Sequence, residues 1–91
     1  MVQVVENRAD IEGVVLTLRA DANRADHWVA TIEVHAVTDV ESYPNLFRDA
    51  AGTRLDVIAP PDTAAALGVG KSVRCRIRRA GPGTVFAQHC A

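Results

Sequence analysis

The sequence predicts an all-β fold, a five-stranded Greek-key barrel with one short helix between strands 3 and 4. Three observations lead to this prediction. Apolar and polar residues alternate over several segments, a glycine lies at a phase break in the first segment, and a short alanine-rich run precedes the fourth. The 91 residues have room for one domain, 1–91. Within it, we expect residues 1–8 to form a flexible or loosely paired N-terminus.

The first strand is predicted from Ile11 to about Ala20, where Val14, Leu16 and Leu18 share a phase that Ile11 does not. Gly13 lies at this phase break. Glycine is the usual residue at a β-bulge or a sharp bend, so we expect one long strand that bends from one sheet into another. The short polar segment 21–26 predicts a hairpin loop.

The second strand begins at residue 28, and its alternation indicates which face is buried. We expect the inward residues to be Trp28, Ala30, Ile32, Val34 and Ala36. Periodicity then fails over residues 38–52, which predicts a long connection, and alternation resumes in a third strand at 54–59.

The alanine-rich run at residues 64–67 predicts one or two helical turns, capped by Asp62 or Thr63. Leu67 and Val69 would then plug the open end of the barrel.

The fourth strand shows the clearest alternation in the chain. Its apolar residues Val73, Cys75 and Ile77 alternate with an outward row that we call the arginine ladder, Arg74, Arg76 and Arg78. A turn at residues 81–83 leads into a fifth strand at 85–89, in which we expect Phe86 to join the core. This order of elements matches the OB-type barrel, with a small open barrel of the SH3 type or a β-sandwich fragment as alternatives.

The second half of the chain resembles TOBE domains, the OB-type barrels of molybdate-binding proteins and transporter ATPases. The resemblance runs from residues 52–57 through 66–73 to Ile77 and 85–87, about a third of the chain. It implies binding of a small oxyanion. At the positions that correspond to the anion-binding regions, Arg78 keeps a suitable charge, whereas Asp10, Pro61 and Asp62 depart from the small hydroxyl residues of the family.

Composition limits the possible functions. Ten Lys and Arg oppose eleven Asp and Glu, a net charge of −1, which argues against binding to nucleic acid or lipid by bulk charge. We find no signature of a catalytic, metal or cofactor site, and we expect Glu33 and His35 to be ordinary polar neighbours on one strand face. Cys75 and Cys90 are expected to be reduced. The expectation is a cytoplasmic, bacterial-type protein that is not an enzyme and does not bind membranes.

The candidate binding residues follow from the arginine ladder. Its members repeat every two residues, about 6.6 Å, which is comparable to the phosphate spacing of an extended single strand. A nucleic-acid interface would use Arg74, Arg76, Arg78 and Arg79 for phosphates and Tyr43, Phe47 and Arg48 for bases. Two alternatives remain at this point: carboxylates such as Glu12 and Asp56 neutralise the ladder, or the loop with Tyr43 and Phe47 anchors itself or forms a protein or homodimer interface.

Overall fold

The computed structural model of the protein describes residues 5–91 and contains five strands and one short helix. In chain order these are β1 (Ala9–Ala20), β2 (Trp28–Asp39), β3 (Arg54–Ala59), α1 (Pro61–Ala64), β4 (Ser72–Gly81) and β5 (Thr84–Cys90). The predicted all-β fold class and the place of the helix between the third and fourth strands are therefore confirmed.

The strands close into a barrel in the order β1-β2-β3-β5-β4, with β4 returning to β1. All neighbours are antiparallel except β3 and β5, which meet in parallel at Ile58 and Phe86. This arrangement is compatible with an OB-like barrel. The fully buried core consists mainly of small and β-branched side chains, among which Ile11, Ile32, Ile77, Val15, Val34 and Val57 are the largest.

Gly13 lies where β1 pairs with both β2 and β4. The register between β1 and β2 shifts between Glu12 and Gly13, where the extra residue, His35, lies on β2. It shifts again between Val15 and Thr17, where the extra residue, Leu16, lies on β1, so the phase break of β1 falls three residues later than predicted. A Cβ atom at Gly13 would overlap the carbonyl oxygen of Glu33 on β2. The two backbones therefore approach each other so closely that only glycine fits at this position.

Four predictions of core packing were wrong. Ala36 is half-buried opposite the outward Glu12, and Val37 beside it packs against the core instead. The other three residues lie where the barrel interior ends or the strand faces outward. Trp28 is 40% exposed; it pairs with Ala20 and Ala59, the last residues of β1 and β3, and so lies at the rim. Phe86 is half-buried on the outer face between the inward Val85 and Ala87. Val69 is 61% exposed and plugs nothing, whereas Leu67 does pack against the core.

The helix begins earlier than predicted. It starts at Pro61 and ends at Ala64, and Pro60 is its N-cap, with no side-chain hydrogen bond from either predicted capping residue. Pro61 fits the first helical position because the first residues of a helix have no backbone acceptor for their N–H groups. The alanine-rich run that carried the prediction lies mostly after the helix.

The prediction that both cysteines are reduced was also wrong. Cys75 on β4 and Cys90 on β5 form a disulfide. The two residues pair directly across the strands, with their Cα atoms 4.2 Å apart. The flanking pair, Arg74 and Ala91, exchanges both backbone hydrogen bonds, so the cysteines occupy a non-hydrogen-bonded pair, where side chains lie closest. Alternation correctly placed Cys75 in the core but could not reveal its partner.

The N-terminal segment lies partly outside the described residues, since residues 1–4 are not among them. The predicted looseness of residues 1–8 therefore stays a prediction for that part. Asn7 is 3% exposed and is hydrogen-bonded to β4. Within residues 5–91, no helix has the length and apolar character needed to cross a membrane.

Candidate anion-binding site

The arginine ladder divides into two parts with different electrostatics. In the first part, Arg74 is paired with Glu12, and Arg76 donates to Asp10 with nitrogen–oxygen distances of 3.0 and 3.2 Å. The β1–β4 register produces both pairs because it places each arginine opposite its carboxylate. These hydrogen bonds raise the pKa values of Arg74 and Arg76 above that of a free arginine. Two of the three ladder positions are thus neutralised.

Neutralisation of the ladder was one of the predicted alternatives, but its partners differ in part. Glu12 is a partner as expected. Asp56 instead pairs with Arg19 at 3.3 Å and accepts a hydrogen bond from Thr31 at 2.6 Å. Asp10 is the partner of Arg76 because β1 begins at Ala9, closer to the N-terminus than its periodicity indicated.

The last two arginines of β4 have a different environment. The β1–β4 pairing ends at Ala9 and Ile77, so no carboxylate of β1 lies opposite Arg78 or Arg79. Asn7 takes the place of a further pair in the sheet: its Nδ2 donates to the Arg79 carbonyl at 2.9 Å, and its Oδ1 accepts from the Arg79 amide at 2.8 Å. This clamp holds the segment that contains Arg8 beside the end of β4.

A depression of about 420 Å³ opens between these two segments, and we call it the arginine depression. Arg8, Arg78 and Arg79 line it, and Glu6 is the single carboxylate residue of its lining. Among residues 5–91, no carboxylate forms an ion pair with any of the three arginines. The remaining lining residues are Val5, Asn7, Ala80 and Gln88. The depression therefore carries excess positive charge on a molecule that is nearly neutral.

Each arginine of the depression also lies over an aromatic ring. The guanidinium carbon is 4.3 Å from the ring centre of Tyr43 for Arg8, and 4.9 Å from that of Phe47 for Arg79. Arg78 lies 5.0 Å from the ring centre of Phe86. Such cation–π contacts orient the guanidinium plane and leave its N–H groups available to a ligand.

The three residues predicted to contact bases lie in different environments. Tyr43 is half-buried beneath Arg8. Phe47 is 2% exposed and belongs to the core, so its ring anchors the long loop and is not free to stack on a base. Arg48 is exposed and lines a neighbouring groove of about 460 Å³ with Leu46 and Leu55. Arg79 lines both this groove and the depression.

Two residues of the site were missed at the level of sequence. Arg8 and Asn7 precede the first alternating segment, and neither residue belongs to a periodic pattern or a motif. Nothing in the residue order indicates that this segment lies beside the end of β4. Of the predicted residues, Arg78 and Arg79 line the depression, Phe47 lies beneath Arg79, and Tyr43 lies beneath Arg8. Arg74 and Arg76 lie outside it, in ion pairs.

Acid–base pairs and metal-binding clusters would be the other kinds of functional site in the described part of the chain. Glu33 and His35 are exposed or half-buried neighbours whose side chains lie 3.0 Å apart. Within residues 5–91, no group of three or more His, Cys, Asp or Glu side chains is placed to hold a metal ion.

Comparison with known proteins adds no family to this picture. No protein-family model matches the chain, and no curated protein matches it in sequence. The resemblance to TOBE domains therefore stays a prediction.

Proposed function

We propose that the protein is a non-enzymatic binding module of the OB type and that its ligand is single-stranded nucleic acid. The phosphate groups of the strand bind at the arginine depression, through Arg8, Arg78 and Arg79. Arg48 and the groove beside it contact the adjoining nucleotide. Arg74 and Arg76, which the ladder prediction included, take no direct part because Glu12 and Asp10 already satisfy them.

One observation carries this proposal: three arginines line one depression, and none of them forms an ion pair with a carboxylate among residues 5–91. Arg76 and Arg74, two and four residues before Arg78 in the same strand, are both in ion pairs. Affinity for a phosphate chain depends on cations that can replace counterions at the phosphates, and a paired arginine must first lose its carboxylate. The unpaired arginines therefore provide most of the attraction.

Titration of a short oligonucleotide with an internal fluorescent label tests the proposal by fluorescence anisotropy. We expect binding at about 50 mM salt that weakens as salt rises, because phosphate contacts release counterions. Arg8→Gln and Arg78→Gln should each weaken binding by roughly three- to tenfold, the usual effect of losing one good phosphate contact.

The ladder itself supplies the matched controls. Arg74→Gln and Arg76→Gln remove the same charge from the same strand and should change the affinity by less than about twofold, since these arginines are paired. Equal losses in all four variants would show attraction by net charge alone. No binding of the wild-type protein at about 50 mM salt would remove the proposal.

A small oxyanion is the second candidate ligand, and the same depression favours it. Arg78, which keeps its charge at a TOBE-like position, lies in the lining. A ligand that binds only the folded state raises the melting temperature. A shift with molybdate, tungstate, sulfate or phosphate that exceeds the shift with an oligonucleotide would favour this alternative.

The protein-interaction alternative rests on a different surface, the loop between β2 and β3, where Leu46 is 41% exposed. It predicts a mass above that of the monomer in sedimentation at high concentration.

The cytoplasmic location also stays a prediction. Because disulfides are rare in cytosolic proteins, the redox state of Cys75 and Cys90 in cells is the measurement that tests it.

A further inference from the structure

The number and arrangement of cations in the arginine depression suit one phosphate group better than a row of them. A row would need arginines spaced along a strand, as Arg74, Arg76 and Arg78 are, and two members of that row are neutralised. Arg8 and Arg79 instead line the same depression as Arg78. Three arginine residues therefore line one volume of about 420 Å³.

The charge of a phosphate depends on its place in the strand. An internal phosphodiester carries one negative charge and two free oxygens. A phosphate monoester carries about −1.5 to −2 charges near neutral pH and three acceptor oxygens. Guanidinium groups can donate two parallel hydrogen bonds to such an oxygen pair. The three arginines and Glu6 give the lining a net charge of about +2, which is opposite in sign and similar in size to that of a monoester.

The depression is also prepared for this ligand in advance. Arg8 and Arg79 lie over Tyr43 and Phe47, and the ring of Phe47 is fixed in the core. Asn7 ties the Arg8 segment to the backbone of Arg79. Side chains that are already ordered lose less conformational entropy when they bind.

The neighbouring groove offers a place for the base next to the phosphate. It meets the depression at Arg79, and Leu46 and Leu55 form apolar parts of its wall. Planar bases bind against apolar side chains and guanidinium planes, whereas the polar depression offers little to them. The phosphate and the first base of one strand end thus have separate adjacent places.

We propose that the protein recognises the phosphorylated end of a nucleic-acid strand, with the terminal phosphate monoester in the arginine depression and the adjoining base in the Leu46–Leu55 groove. This inference rests on the proposed function and narrows it from any single strand to an end of one.

Competition against the internally labelled oligonucleotide tests the inference. The unlabelled competitors share one sequence and carry a 5′-phosphate, a 3′-phosphate or hydroxyl groups at both ends. We expect at least one phosphorylated form to compete about tenfold better than the form with two hydroxyl ends. The additional charge-assisted hydrogen bonds to the terminal phosphate account for a difference of this size.

The outcomes separate the two proposals. Equal competition by all three forms overturns the end recognition and leaves single-strand binding intact. No binding of the labelled strand overturns the proposed function itself. A phosphoserine peptide or inorganic phosphate that competes as well as the phosphorylated strand overturns the nucleic-acid end as the ligand.

Variants that keep the charge locate the site. Arg8→Lys and Arg78→Lys should lose most of the preference for the phosphorylated end, because lysine lacks the planar fork and the stacking of arginine. Arg76→Lys, on the same strand but outside the depression, should retain it. Retention of the full preference in both test variants, with folding verified by circular dichroism, would overturn the assignment to the depression.

Discussion

Asn7 is the residue on which the geometry of the arginine depression most depends. Its side chain makes two hydrogen bonds to the backbone of Arg79 and a third to the carbonyl of Val5, and it is almost completely buried. Replacement by alanine leaves the partly buried backbone groups of Arg79 without these partners. Such losses cost more than the hydrogen bonds contribute.

We expect Asn7→Ala to lower the free energy of unfolding by about 2 kcal/mol, as urea denaturation would measure. The variant should also bind the oligonucleotide more weakly, since the Arg8 segment is no longer tied to β4. Asn23 is exposed in the β1–β2 loop, and Asn23→Ala is expected to change stability by less than about 0.5 kcal/mol. A fully stable Asn7→Ala protein would contradict the clamp.

Gly13 supports a second prediction at this scale. A methyl group at this position has no space, because the carbonyl of Glu33 occupies the site of the Cβ atom. We expect Gly13→Ala to lower the free energy of unfolding by about 3 kcal/mol or to prevent folding, since a backbone group cannot move aside as a side chain does.

The control for Gly13 is another strand glycine. Gly81 ends β4, and no heavy atom lies within 4 Å of the place its Cβ would occupy. Gly81→Ala should therefore stay within about 0.5 kcal/mol of wild type in the same urea titration. If both variants lost stability equally, the general cost of replacing glycine, and not the contact with β2, would explain the result.

At the scale of the elements, the disulfide joins β4 and β5 at the end opposite their turn. Residues 75 and 90 are separated by 15 positions, and a cross-link of this loop length removes about 3 kcal/mol of conformational entropy from the unfolded chain. We expect Cys75→Ala/Cys90→Ala to lose about this much stability, and reduction of the wild-type protein to do the same. Two reactive thiols in the native, unreduced protein would contradict the bond.

The elements also show how far sequence reasoning reaches. Alternation located the strands, and the third strand has the predicted bounds, Arg54–Ala59. Alternation is a local signal, however, and it reports only which residues share a face. It cannot report that Trp28 lies beyond the end of the core or that Cys90 faces Cys75, because both facts depend on strand register.

The same limit explains the outcome for the candidate site. Arg78 and Arg79 were found because they continue the ladder, whereas Arg8 belongs to no pattern. Whether an arginine is neutralised is decided by the residue opposite it. Arg76 and Asp10 are 66 positions apart in the chain, and only the barrel brings them together. Candidate cations were therefore predictable, but their pairing was not.

Over the whole molecule, positive and negative charges nearly cancel, but they are unevenly distributed over the surface. The net charge is −1, and the ion pairs along β1 and β4 neutralise one part of the surface. The end where Asn7, the long loop and the β4–β5 turn meet keeps unpaired arginines among residues 5–91. Binding to a polyanion should then depend on a small, fixed number of contacts, which salt dependence can count.

Each phosphate contact to a single strand contributes about −0.7 to the slope of log K against log salt concentration. If Arg8, Arg78 and Arg79 each neutralise a separate phosphate, the slope is about −2, whereas binding of all three to one terminal phosphate gives a slope nearer about −1. The full set of about five arginines on β4 and in the long loop would give about −3.5 instead. Anisotropy titrations of one oligonucleotide over a series of salt concentrations measure this slope.

The variants make the count specific to residues. Arg78→Gln should reduce the size of the slope by about 0.7, while Arg74→Gln should leave it unchanged, because Glu12 already replaces the phosphate as the partner of Arg74. A wild-type slope near about −3.5, reduced equally by both substitutions, would mean that the ligand displaces Glu12 and Asp10 and binds the whole ladder. A slope near about −2 that only the Arg78 variant changes would place the contacts at the arginine depression.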